Sequence, residues 1–183
     1  MGTELVPIAP LPVPATVNPT PAWPAWLTAM ERSLRQDPRT GNTEDRRILA
    51  TLPTPSQRLA IEKHRDQCAA LLARTPLNDE DCRKRTFGHI AKLMLAKPSR
   101  VGGPETTEAR GETYVIALDD VPTWAVEAAI RKWHRGEHDR HPQTFDYRWA
   151  PESADLRKLA LREVSGVRKR ILTIENILGA AQG

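Results

Sequence analysis

Residues 151–178 read PESADLRKLALREVSGVRKRILTIENIL, the longest stretch of the chain with helical periodicity. Pro151 suits the first turn of a helix, and the apolar residues after it are spaced in a heptad rhythm. These residues are Ala160, Val164, Val167, Ile171, Ile174 and Leu178. A helix of this length extends about 40 Å. Because that exceeds the diameter of a small domain, we expect its C-terminal part to protrude and to seek a partner helix, as in a coiled coil.

The same helix carries the residues that we predict to bind a partner. Its opposite side is basic, with Arg157, Lys158, Arg162, Arg168, Lys169 and Arg170. A cationic side next to an apolar seam suits an acidic protein partner or a second copy of this chain. The predicted partner-binding residues are Arg168, Lys169, Arg170, Ile171, Ile174 and Leu178. We expect Ile171→Asp to abolish self-association or partner binding without unfolding residues 105–160.

Five shorter stretches also have helical periodicity or helix start signals. In the best defined of them, Thr54 suits the N-cap, Pro55 the first turn and Gln57 the capping box. Asn78 is expected to cap the next helix, and Gly136 is expected to end a later one. The predicted helices cover residues 26–36, 54–73, 78–98, 108–117 and 122–136. The fold class is therefore predicted to be all-α, a small multi-helix bundle.

Short apolar groups predict further structure and the buried face of each helix. Ile48, Leu49 and Leu52 form a patch that suits one helical turn. The aromatic residues of segment 145–149 alternate with charged ones, which fits either a short extended segment or a loop that packs its aromatics on the helices. The expected core residues are Leu59, Ala60, Cys68, Leu71, Leu72, Phe87, Ile90, Leu93, Met94, Trp124, Ile130 and Trp133.

Proline and glycine divide the chain into four regions. Residues 1–22 are rich in proline, which fixes φ and removes a backbone donor, so we expect a disordered arm. This arm could dock on a partner as a polyproline helix or be a plain tail. Residues 23–98 are predicted to form an N-terminal helical region and residues 99–107 a linker around a glycine pair. Residues 108–183 are predicted to form a C-terminal helical domain that includes the long terminal helix.

Composition bounds the cellular setting and the class of protein. The 183 residues carry a net charge of +4, which permits contact with nucleic acid without requiring it. The two cysteines lack a CxxC spacing and are expected to be free thiols in a reducing compartment. The N-terminus has no signal-peptide pattern, and no apolar stretch is long enough to span a membrane. We therefore expect a cytoplasmic protein without a membrane segment.

One short motif suggests metal chemistry. Residues 134–138 read HRGEH, which matches the HxxEH pattern of inverted zinc metalloproteases. That chemistry requires both histidines on one helical face, with the glutamate beside a metal-bound water. Gly136 lies between the histidines and should end the helix, and no third ligand follows at a recognisable spacing. A solvated basic loop is therefore the preferred interpretation, and we predict no metal, no cofactor and no catalytic residue.

Three other groups of polar residues have structural explanations beside functional ones. His64 and Cys68 lie one helical turn apart, but no orienting group accompanies them, so we expect a buried thiol beside a surface histidine. Asp119 and Asp120 could bind Mg²⁺ but are expected to cap the helix that follows. The basic residues of the third group could contact phosphates but alternate with acids, as on a solvated face. They are Arg83, Lys84, Arg85 and Lys92, together with the C-terminal set Arg157, Lys158, Arg162, Arg168, Lys169 and Arg170.

A pattern of alanine, leucine, proline and aromatic residues runs through residues 112–158. It consists of Tyr114, Ala117, Leu118, Asp120, Pro122, Ala125, Val126, Ala129, Trp133, Trp149, Pro151, Ala154 and Leu156. The segment resembles the helical domain of phage replicative-helicase loaders and inhibitors, and of related prophage replication proteins, although Asp155 replaces the usual glutamate. The resemblance implies an all-helical fold, an accessory role in phage DNA replication and the hexameric replicative helicase as a partner.

The chain is therefore predicted to be a non-enzymatic interaction protein, and three hypotheses for its role stay open. In the first, which the resemblance implies, it is a phage or prophage DNA-replication accessory factor that binds a replicative helicase or an initiator. In the second, it is a dimeric DNA-binding regulator that associates through residues 160–178. In the third, it is a phage inhibitor of a host protein.

Overall fold

The computed structural model describes residues 20–36, 47–98, 104–137 and 145–182, and most of them are helical. The helices are α1 (Ala25–Ser33), α2 (Pro55–Ala73), α3 (Glu80–Ala96), α4 (Pro104–Ala117), α5 (Thr123–Arg135) and α6 (Ser153–Gly179). The strands are β1 (Arg35–Gln36), β2 (Arg47–Leu49) and β3 (Ala181–Gln182). The predicted all-α fold with a long C-terminal helix is confirmed. The predicted proline-rich arm lies almost entirely outside the described residues.

The boundaries of α2 and α5 follow from the helix signals in the sequence. Thr54 Oγ1 accepts a hydrogen bond from the Gln57 N–H at 3.3 Å, and Gln57 Oε1 accepts one from the Thr54 N–H at 2.9 Å. This is the predicted capping box, with Pro55 in the first turn. Gly136 adopts a left-handed φ of 68° and ends α5. Both predictions are confirmed.

The cap of α3 differs from the prediction by one residue. Asp79 is the N-cap, and its carboxylate accepts a hydrogen bond from the Cys82 N–H at 3.0 Å. Asn78, the predicted cap, is engaged in the preceding turn, where it accepts from the Thr75 N–H at 2.9 Å and donates to the Ala73 carbonyl. Both residue types suit a cap and a turn, so only the geometry of the turn assigns the two roles.

α6 passes through two hydrophobic cores. The first core lies between α3, α4, α5 and the N-terminal half of α6. Its buried residues are Ile90, Leu93, Tyr114, Leu118, Val121, Ala125, Val126, Ala129, Ile130, Trp133, Leu156, Leu159, Ala160 and Val164. The second core lies between α1, β2, α2 and the C-terminal end of α6. Its buried residues are Leu27, Leu49, Ile61, Ile174 and Ile177.

The C-terminal part of α6 is covered by the chain itself. Ile174 is fully buried and Ile177 is 1% exposed, both in the second core. Trp23, Trp26 and Met30 pack around the same core. The expectation that this part of α6 protrudes is therefore wrong, because the N-terminal helix and the segment before it cover its apolar side.

A small three-stranded sheet joins the segment after α1 to the segment after α6. β1 pairs with β2 in antiparallel register, with Arg35 opposite Ile48. β2 pairs with β3 in parallel register, with Ile48 opposite Ala181. The apolar patch that begins at Ile48 was expected to form a helical turn, and that prediction is wrong. The β-branched Ile48 suits a strand, and Leu49 lies opposite Gln182 because β3, which follows α6, pairs with β2.

The buried faces of α2 and α3 differ from the predicted ones at several positions. Leu59 is 69% exposed, Phe87 is 53% exposed and Ala60 is also exposed, although all three were expected in the core. His64 is 6% exposed, and Ile61, three residues before it, is fully buried. α2 has its buried side toward α6 at Ile61, His64 and Cys68. The sequence of α2 offers no clean apolar stripe, so its orientation is decided by the surface against which it packs.

The two hydrophobic cores do not coincide with the two regions predicted on either side of the linker at residues 99–107. α3 lies in the predicted N-terminal region, but it packs with α4 and α5 in the first core. The end of α6 lies in the predicted C-terminal domain, but it packs with α1 and α2 in the second core. Within the described residues, no helix has both the length and the apolar character needed to cross a membrane.

Candidate partner-binding surface

The residues that carry the resemblance in segment 112–158 are used to hold three helices together. Tyr114 Oη donates a hydrogen bond to the Pro151 carbonyl oxygen, which ties α4 to the start of α6. Trp133 Nε1 donates to the Trp149 carbonyl oxygen at 2.9 Å, which ties α5 to the loop before α6. Four alanines and leucines of the pattern lie in the first core, namely Leu118, Ala125, Ala129 and Leu156. These residues therefore explain the fold of α4, α5 and α6, and a binding surface must be formed by other residues.

The aromatic loop before α6 packs on the end of α5. The rings of Phe145 and Tyr147 lie 5.2 and 4.8 Å from the ring of Trp133, measured between centroids. Edge-to-face and tilted geometries of this kind are favourable for aromatic pairs. Of the two predicted alternatives for this segment, the structure shows the loop that packs its aromatics on a helix.

The acidic pair after α4 has a structural partner. The Arg157 guanidinium binds the Asp120 carboxylate and also donates to the Ala117 carbonyl oxygen at 2.7 Å. This hydrogen-bonded ion pair lowers the pKa of Asp120. Neither Asp119 nor Asp120 caps α5, whose N-cap is Pro122 without a side-chain hydrogen bond. The expectation of a cap is wrong. The Arg157–Asp120 ion pair instead fastens the start of α6 to the α4–α5 turn.

The six predicted partner-binding residues on α6 do not share one accessible surface. Arg168 and Lys169 are exposed, whereas Ile171 and Leu178 are half-buried. Ile174 is fully buried in the second core. The remaining residue, Arg170, is half-buried and donates a hydrogen bond to the Pro21 carbonyl oxygen at 2.8 Å. Of the six, only Arg168 and Lys169 have exposed side chains. Partner binding by these residues stays a prediction.

His64 and Cys68 form part of the packing between α2 and α6. The His64 ring meets the Trp23 ring edge-on at 5.3 Å, and the Arg170 guanidinium lies 5.6 Å from the centroid of Trp23. Burial, together with the nearby Arg170 charge, lowers the pKa of His64. Burial raises the pKa of the Cys68 thiol, which is the opposite of what activates a nucleophilic thiol. The expected buried thiol is confirmed, whereas the expected surface histidine is wrong.

The HRGEH segment is interrupted at its glycine. His134 is exposed in the last turn of α5, and Gly136 ends that helix through its left-handed φ. His138 lies outside the described residues. The part of the chain that the structure describes contains no group of three histidine, cysteine or acidic side chains placed to hold a metal ion.

An apolar groove on the surface lies between α3 and α4. Its apolar lining consists of Phe87 from α3 and of Val115 and Ile116 from α4, and its volume is about 490 Å³. Phe87 is 53% exposed and Ile116 is 72% exposed. We call this feature the α3–α4 groove. The charged residues that complete its lining are Glu80, Arg83, Lys84 and Glu112.

The α3–α4 groove was missed at the level of sequence for one physical reason. Phe87 follows the helical spacing of the α3 core residues, so its periodicity indicates burial. Burial in fact depends on whether α4 covers that edge of α3. Gly111 of α4 lies beside the Phe87 ring and has no side chain to cover it, since a Cβ at this position would lie 4.0 Å from Cε2 of the ring. A glycine facing a large aromatic residue was the available hint, but the pairing of α3 with α4 had to be known first.

Comparisons of this chain with protein families, with curated proteins and with solved structures gave no match.

Proposed function

We propose that this protein is a non-enzymatic accessory factor of phage or prophage DNA replication, and that it binds a replicative helicase through the α3–α4 groove. The observation that supports a binding role most directly is the exposure of Phe87 and Ile116 on adjacent helices. Large apolar side chains that share one exposed concave surface are typical of protein interaction sites.

The lining of the groove suits an amphipathic helix from the partner. Phe87, Val115 and Ile116 would contact its apolar side, as in other helix-in-groove complexes. Arg83 and Lys84 lie along the same groove with two glutamates, so its edge can pair with charges of either sign. An apolar centre within a polar rim is the usual anatomy of a protein interface.

The choice of a replicative helicase as the partner rests on the resemblance of residues 112–158. One wall of the groove lies inside that segment, because Glu112, Val115 and Ile116 all belong to α4. The other wall belongs to α3, which lies outside it. A surface built partly from the resembling segment is the best supported place for a partner of that kind.

The groove can be tested with a double substitution and a matched control. Phe87→Ala combined with Ile116→Ala should weaken binding to the purified replicative helicase by about tenfold or more, since buried apolar anchors carry roughly 1–3 kcal/mol each at interfaces. Leu95→Ala is the control, because Leu95 is 89% exposed on the same helix α3 and does not line the groove. It should leave the affinity unchanged.

Isothermal titration calorimetry of the full chain with the hexameric helicase measures both parts of the proposal. No binding by the unmodified chain would contradict the choice of helicase. Binding that is equally tight for the double variant, the control and the unmodified chain would contradict the choice of groove. Both groove residues are largely exposed, so circular dichroism should show all three proteins equally folded.

A further inference from the structure

The solvent side of α6 is a continuous basic surface. At 3.6 residues per turn, positions 158, 162, 165 and 169 fall within about 60° of one another around the helix and span about 17 Å along it. Lys158, Arg162, Ser165 and Lys169 occupy these positions, and all four are exposed. Arg168 is also exposed, and it lies between about 60° and 120° around the helix from these four positions. We call the cationic members of this surface, Lys158, Arg162, Arg168 and Lys169, the basic face of α6.

The acidic residues close to the basic face are mostly engaged. Lys132 of α5 holds the Glu163 carboxylate at 2.6 Å. Asp155 lies 3.2 Å from Lys158, and this is the one ion pair that involves the basic face within the described residues. Asp120 is bound by Arg157, although it is near enough to Arg168 for that charge to lower its pKa. The face therefore keeps a clear excess of positive charge.

The chemistry of the face distinguishes between classes of partner. A protein interface needs aromatic or large apolar anchors, and the exposed residues of α6 include only one such side chain, Leu172, at 58% exposure. A single-stranded nucleic acid needs aromatic side chains on which bases stack, and α6 has no aromatic residue. A duplex backbone requires closely spaced cations and room to approach them. Ser165 and Gly166, both exposed between the cations, leave that room.

We propose that the basic face of α6 binds the phosphate backbone of duplex DNA without sequence preference. The inference is independent of the α3–α4 groove, since the two surfaces share no residue. Contacts to phosphates alone carry no sequence information. Affinity should therefore depend on salt and hardly on the sequence of the duplex.

The test is fluorescence anisotropy of the full chain with a labelled duplex of arbitrary sequence, measured from 50 to 200 mM salt. With four phosphate contacts, raising the salt over this range should weaken binding by about two orders of magnitude. A triple variant, Arg162→Gln, Arg168→Gln and Lys169→Gln, should bind at least about tenfold more weakly at 50 mM salt. Its slope of log affinity against log salt should be smaller by about 3.

The matched control removes the same charge from other surfaces. It combines Arg32→Gln, Arg35→Gln and Lys63→Gln, three exposed cations on α1, β1 and α2. The control should keep the affinity and salt slope of the unmodified chain within about twofold. Equal losses in the control and the triple variant would overturn the proposal, because net charge alone would then explain the binding.

Two further outcomes overturn the proposal. One is tighter binding of a single strand than of the duplex. The other is the absence of DNA binding by the unmodified chain at 50 mM salt. If the triple variant also loses helicase affinity, the basic face is a surface for an acidic protein. A groove variant, Phe87→Ala combined with Ile116→Ala, should keep full duplex binding. Helicase binding by the groove and duplex binding by the basic face can therefore fail independently.

Discussion

Arg170 and His64 approach the same aromatic ring from two helices. Arg170 lies over Trp23 and binds the Pro21 carbonyl oxygen, while His64 meets the ring edge-on. The Nε2 atom of His64 and the Nε1 atom of Trp23 are buried and have no hydrogen-bond partner among the described residues. A second positive charge at His64 would therefore be unsolvated and close to Arg170, so this packing requires a neutral imidazole.

The first prediction concerns the pKa of His64. Arg170→Gln should raise it toward the ordinary value, but only in part, because burial is the larger cause of its depression and Arg170 the smaller one. Lys169→Gln, which changes the adjacent and exposed residue, should have little effect on the pKa of His64. The measurement is an NMR titration of the imidazole in the three proteins. An unchanged His64 pKa in the Arg170 variant would show that the two groups do not interact.

The same pKa depression gives His64 a defined effect on stability. The contribution of His64 to the free energy of unfolding is fully present at pH values above the unfolded pKa of about 6.5. As the pH falls through that value toward the lower folded pKa, the unfolded chain binds a proton that the folded chain does not, so the free energy of unfolding decreases. Urea denaturation at several pH values should show a shallower decrease over this range for His64→Gln than for the unmodified chain.

Among the elements, the glycines of α5 and α6 have opposite effects: Gly136 suits the end of its helix, whereas Gly166 weakens the helix that contains it. Gly136 ends α5 with a positive φ that other residues adopt at a cost. Gly166 lies inside α6, is exposed, and has open space where a Cβ would be. Glycine is the weakest helix former after proline, so Gly166 lowers the stability of the helix that joins both cores.

The second prediction compares alanine at these two positions. Gly166→Ala should increase the free energy of unfolding by about 0.5–1 kcal/mol, because it lowers the entropy of the unfolded chain without a clash. Gly136→Ala should decrease it by about 1–2 kcal/mol, because alanine is strained at this φ. Chemical denaturation followed by circular dichroism measures both changes. A destabilised Gly166 variant would mean that something contacts this position of α6.

For the whole molecule, the main consequence of the fold is that α6 connects both cores. Its N-terminal half packs on α4 and α5, and its C-terminal end packs on α1, α2 and β2. The apolar seam of α6 is thus shared between two intramolecular cores. A self-association seam on the same residues would require the second core to open.

The third prediction separates these two uses of the seam. Ile174→Asp should decrease the free energy of unfolding by more than about 3 kcal/mol, because it places a carboxylate where the side chain is fully buried. Leu172→Asp, at a position 58% exposed on the same helix, should be tolerated within about 0.5 kcal/mol. Thermal denaturation and light scattering measure stability and mass together. A stable Ile174→Asp chain that loses a dimer would contradict the assignment of Ile174 to the core.

The sequence by itself determined the features that depend on neighbouring residues. The capping box at Thr54 and the left-handed stop at Gly136 are local geometry, and the pattern of α6 marks a long helix whatever covers it. Periodicity also identified core residues such as Ile130 and Trp133, because one face of a helix is apolar in any packing.

Only the tertiary structure decided which apolar residues are covered and by what. Phe87 and Ile174 both fit an apolar stripe, yet one lines an exposed groove and the other is fully buried. The pairing of β2 with β3, and the contacts of Trp23 with His64 and Arg170, join residues that are far apart in sequence. Periodicity states that a face is apolar, but burial depends on the neighbouring element that packs against it, and that neighbour is set by the whole fold.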